Sequence, residues 1–116
     1  MPIAVPATRQ TLADAYKNLG SWISLHTGDP GATGDHEARG GTPPYARQQT
    51  TWTSSTGGII NGLQVAFDVP AGTYTYAGLW KTANGGATDF VDKVAITPTT
   101  LGDQGQILVT PSFTQS

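Results

Sequence analysis

The chain has 116 residues, no cysteine, six Lys and Arg against eight Asp and Glu, and a charged fraction of only 12%. Without cysteine there is no disulfide framework, thiolate zinc site, iron–sulfur cluster or thiol nucleophile. Six cations are too few for the basic face that nucleic acid requires. The length suits one domain, and no apolar run approaches the ~18 residues of a bilayer span.

Met1-Pro2-Ile3-Ala4-Val5-Pro6 has no cationic start or long apolar stretch, so it does not read as a secretory signal. This fits a protein that stays in the cytosol or leaves the cell on a particle. Gly (15) and Pro (8) punctuate the chain, and Thr (18) is its commonest residue. Frequent Gly and Pro punctuation with many β-branched Thr predicts an all-β fold. The expected form is an antiparallel β-sandwich or partly closed barrel carrying one short N-terminal helix.

In chain order, residues 1–10 read as an extended arm, since Pro2 and Pro6 bias their predecessors away from helix. Ile3 and Val5 are poorly placed in water, so the arm is expected to lie against this domain or a partner. Residues 11–116 read as a single domain. Leu12, Ala15, Tyr16 and Leu19 share one face of a helix over 11–19, with Thr11 and Asp14 as a capping box and Gly20 as its terminator. Ser21–Thr27 reads as a strand. Residues 28–44 form a long polar loop holding three of the eight acids and one of the two His, and loops of this length tend to be functional or mobile.

Tyr45–Trp52 alternates as a strand with Tyr45 and Arg47 on one side. Thr53–Gly58 reads as a turn, and Ile59-Ile60 as a short strand. Asn61-Gly62 is the strongest hairpin-turn dipeptide. Leu63, Val65, Phe67 and Val69 alternate as a half-buried strand. Thr73–Lys81 is the next, with Tyr74, Tyr76 and Trp80 on one face and Ala77 and Leu79 on the other. Residues 89–97 and Gln106–Phe113 complete six or seven strands.

His26, Asp29, Asp35, His36 and Glu37 lie within twelve residues, a composition able to bind a metal or transfer protons. Their spacing matches no metal motif. The plainer reading is loop-structuring: His26 ties the loop down by a hydrogen bond, and Asp29-Pro30 starts a turn. No nucleophile elbow, phosphate-cradling loop or dinucleotide fingerprint is present, so no catalytic residue, metal or cofactor is expected. The Trp residues are assigned to packing, with a sugar-stacking platform as the alternative. Tyr45 and Arg47 would anchor a partner if both face outward; alternatively Arg47 pairs with Asp29 or Asp35 and pins the loop.

Leu25-His26-Thr27-Gly28-Asp29-Pro30-Gly31, then Gly34, Glu37, Gly40-Gly41, Tyr45-Ala46-Arg47-Gln48 and Trp52, resembles a signature of small virion proteins of tailed phages, especially phages of actinobacteria. Phe67 with Val69-Pro70-Ala71-Gly72-Thr73, and Tyr76-Ala77-Gly78-Leu79-Trp80 with Gly85-Gly86, extend it over about residues 11–113. The signature often has Ala where Gly28 stands, a mild departure in a turn. The resemblance implies a non-enzymatic structural protein of the virion, assembled in the host cytoplasm. Its partners would be the major capsid protein or tail proteins, and it would be a homo-oligomer or present in many copies. A short domain without shaft-like repeats favours capsid decoration; a minor tail or tail-fibre protein is the alternative, and a carbohydrate-binding module a third.

Overall fold

A computed structural model describes residues 3–115, so Met1, Pro2 and Ser116 of the expected arm and domain lie outside it. The fold is mainly β, with one helix and three small antiparallel sheets.

Helix α1 spans Pro6–Lys17, so residues 6–10, expected to be extended, form its first turns. Pro6 sits at the helix start, where its fixed φ suits a helix and its missing N–H is no loss. Val5 precedes it without a side-chain cap. Thr11 is therefore interior, and its hydroxyl donates to the Ala7 carbonyl at 3.0 Å. The helix ends at Lys17 with Asn18 in a right-handed conformation, before Gly20. Gly20 serves close packing instead: a Cβ there would collide with the Trp80 carbonyl.

Strands β1 (Trp22–His26), β2 (Gln48–Gln49), β6 (Gly72–Trp80) and β7 (Phe90–Leu101) form one sheet in the order β2-β1-β6-β7. β3 (Trp52–Ser54), β4 (Ile59–Gly62) and β9 (Ser112–Thr114) form a second, and β5 (Val65–Val69) pairs with β8 (Gly105–Val109). The main core lies between Ile23, Leu25 and Leu79 of the large sheet and Val65, Phe67, Val69 and Ile107 of β5 and β8.

Several expectations for the strands change. The alternating run Tyr45–Trp52 is broken, because Thr50 turns its hydroxyl inward onto the Leu63 carbonyl at 2.8 Å. The expected last strand is split between two sheets, as β8 and β9 on either side of Thr110-Pro111. Pro111 has no N–H for a ladder, and its carbonyl instead accepts the Gly62 amide. Tyr74 parts from Tyr76 and Trp80 because the β6–β7 register shifts between Tyr74 and Tyr76. It enters the main core, with its hydroxyl on the Pro70 carbonyl at 2.7 Å.

Asn61-Gly62 makes no turn. Asn61 pairs with Thr53 and Ser112, and Gly62 with Trp52, inside β4. Glycine is needed at 62 for space, since a Cβ would lie 2.6 Å from both Pro111 Cγ and Thr50 Oγ1. The helix clamps the turn before β4: the Gln10 side chain accepts the Gly58 and Ile59 amides and donates to the Ile59 carbonyl, and Arg9 donates to the Gly57 carbonyl.

Gly62→Ala is expected to lower stability by about 1–3 kcal/mol through overpacking, read as a shift of the urea midpoint with unchanged slope. A neutral result would show that Pro111 and β4 yield easily.

Candidate functional site

Strand alternation puts Ser24 and His26 on the face of β1 opposite the main core, beside Trp80 of β6. Both are fully buried. The long loop covers them. It returns to β1 through Thr27 N–H to the His36 carbonyl and Ala38 N–H to the Leu25 carbonyl, around a bridge between His26 and Glu37. At its bend the Pro30 carbonyl accepts the Gly34 and Asp35 amides, and Asp29 accepts the Gly31 amide. Gly34 has φ +81°, and a Cβ there would strike the Trp80 ring, so only glycine fits.

Beneath the loop runs a buried polar chain. Trp80 Nε1–H donates to Ser24 Oγ at 2.7 Å, Ser24 Oγ lies 2.7 Å from His26 Nε2, and His26 Nδ1 lies 2.7 Å from the Asp35 carbonyl. A carbonyl only accepts, so Nδ1 carries the proton and Nε2 accepts from the serine hydroxyl. The Ser–His contact has the geometry of a nucleophile and base, but both side chains are sealed from solvent. Burial holds His26 below its ordinary pKa of 6.5, against the opposing effects of the Asp35 carbonyl and Glu37.

Arg47 closes this layer. Its Nε and Nη2 donate to the two Glu37 oxygens at 2.9 Å each, and its Nη1 donates to the Thr82 and Gly85 carbonyls. Its guanidinium lies 3.4 Å over the Trp80 ring. Tyr45 donates to Glu37 Oε2 at 2.8 Å and accepts the Leu25 amide. Burial, then the Glu37 charge, pushes the Tyr45 hydroxyl pKa up. Neither residue is in a strand, and the Arg47 side chain is only 9% exposed. Arg47 pairs with Glu37 rather than with Asp29 or Asp35; Asp29 pairs with Lys93. Among the described residues no three or more His, Asp or Glu gather as a metal set.

Ile3 gives its carbonyl to Arg9, while Val5 is 55% exposed. Two features went unread in the sequence: the partner role of Glu37 and the Trp80–Ser24–His26 chain. Ser24 and His26, two apart on a strand, share a face; that spacing was the available signal.

The molecule is open on another side. β7 is an edge of the large sheet. Beside it, a mouth of about 390 Å3 between the sheets is lined by Tyr16, Leu79, Val94, Ile96, Val109 and Phe113. Tyr16 stacks on Phe113 with ring centroids 3.7 Å apart and donates to Asp92 of β7. Val94 is 60% exposed.

A family model described as podophage GP4 fiber I protein gp80 matches residues 11–111. No curated protein and no solved structure matches.

Arg47→Met leaves Glu37 partly buried with the Tyr45 hydroxyl but no countercharge and is expected to cost about 3 kcal/mol. Arg47→Lys recovers little, because an ammonium cannot reproduce the fork or the stacking. Full recovery by lysine in thermal melts would contradict this geometry.

The pH dependence has a definite sign. Above pH 6.5 His26 is neutral folded and unfolded; below it the unfolded chain takes up a proton that the folded chain resists. Stability therefore falls as pH drops below 6.5 and levels off below the depressed folded value. A flat urea midpoint for the wild type relative to His26→Gln across that window would contradict it.

Proposed function

The chain belongs to this family of podophage fibre proteins, and we propose that it is a subunit of a virion fibre, docking through the β7 edge and the adjoining mouth. As a member of the family it is a structural protein of the phage virion and associates with other virion components. The observation carrying the fibre role is that the match covers residues 11–111, nearly the whole fold. It favours a fibre over the capsid decoration expected from length and lack of repeats, for which the match offers no support.

The physical reading agrees. The inward-turned titratable residues of the loop brace the fold. An edge strand presents unpaired backbone groups that accept another strand. At β7 that edge adjoins a mouth lined by Val94, Ile96, Val109 and Phe113. The partner segment suited to it is extended and carries an apolar side chain at every second residue, one row of which enters the mouth. Pro98 lies in the β6–β7 irregularity and limits pairing to the part before it.

Immunogold labelling of purified particles is expected to mark appendages; label spread over the capsid shell would overturn the fibre role. Val94→Asp is expected to abolish incorporation into particles while leaving the melting temperature unchanged, because Val94 is already exposed. Normal incorporation would move the docking surface elsewhere.

A further inference from the structure

We propose that a second surface, centred on Trp22 and independent of the docking edge, binds an uncharged saccharide. Each tryptophan can be judged by where its indole N–H goes. Trp52 donates to the Gly20 carbonyl and Trp80 to Ser24. Trp22 is half-buried, lies outside the main core, and its N–H has no partner among the described residues. It lines an open depression of about 550 Å3 together with Glu37, Tyr45, Ala46, Arg47 and Asn84. That volume lies in the range of small-ligand sites.

The chemistry of the lining selects the ligand. Asn84 is exposed, and its amide has no partner among the described residues, so it offers both donors and an acceptor. Among the described residues, Glu37 and Arg47 are the only charged ones lining the depression, and they neutralise each other. An anionic or cationic ligand therefore finds no unmatched countercharge. A purely apolar ligand would strand the Asn84 amide and the Trp22 N–H. A pyranose presents a C–H face that packs on an indole and hydroxyls that donate and accept at once. Arg47 and Tyr45 hold Glu37 within the lining itself, so the carboxylate is fixed before the ligand arrives, which lowers the ordering cost of binding.

The test uses the intact, nitrogen-15-labelled protein and a panel of neutral gluco-, galacto-, manno-, xylo- and N-acetylglucosamine oligosaccharides at millimolar concentration. The three indole N–H signals give the readout. At least one sugar is expected to shift the Trp22 signal in a saturable way while Trp52 and Trp80 stay in place. Asn84→Ala, at an exposed position that leaves the fold intact, weakens that binding by about tenfold, and Trp22→Ala abolishes it. The proposal is overturned if no sugar in the panel shifts Trp22, if Trp52 and Trp80 move equally, or if Asn84→Ala binds as the wild type does.

Discussion

A guanidinium that leaves solvent must find partners for its N–H groups, and the folded form of this protein is organised around one that does. Arg47 meets both oxygens of Glu37, two carbonyls of the 82–85 turn and the face of Trp80. Paired charge-assisted bonds of this type are about twice as strong as neutral ones, and a desolvated cation over an indole adds about 2 kcal/mol. One side chain thereby joins the long loop, the approach to β2 and the turn after β6. The buried Trp80–Ser24–His26 chain depends on that closure, because an opened loop would admit water to a histidine held neutral by burial.

This arrangement explains why a loop rich in His and carboxylates gathers no metal set among the described residues. Glu37, Tyr45 and Arg47 spend their hydrogen-bonding capacity largely on one another. Asp29 lies in an exposed pair with Lys93, a kind of contact that contributes little. Two surfaces are proposed for binding. One is the unclosed mouth at β7, where apolar side chains meet a free strand edge. The other is the depression at Trp22, where polar groups and a spare indole N–H meet.

Much of this was legible in the chain. Alternation at Leu63, Val65, Phe67 and Val69 marked a half-buried strand because the sheet period is two; the last three are buried in β5, while Leu63 lies before it and is exposed. Turn chemistry misled where packing overrode it. Asn61-Gly62 has the composition of a hairpin, yet Gly62 sits within a strand because Pro111 and Thr50 press against its Cα. The helix ran earlier than its apolar face suggested, since Pro6 begins a helix as readily as it ends an arm. The Arg47–Glu37 pair was beyond reach, because three acids of the loop were equivalent in composition and only the fold chooses among them. The β6 irregularity that separates Tyr74 from Tyr76 likewise leaves no mark in a run of alternating Thr and Tyr.

The claim on which the rest stands is that the 27–47 segment is a built part of the domain. Native-state amide hydrogen exchange of the unmodified protein tests it most directly. The amides of Thr27, Gly34, Asp35 and Ala38, each hydrogen-bonded to backbone within this layer, should exchange nearly as slowly as those joining β1 to β6. If those four amides exchange at the rate of an unstructured chain while β1 and β6 stay protected, the loop is a free flap and the claim is contradicted.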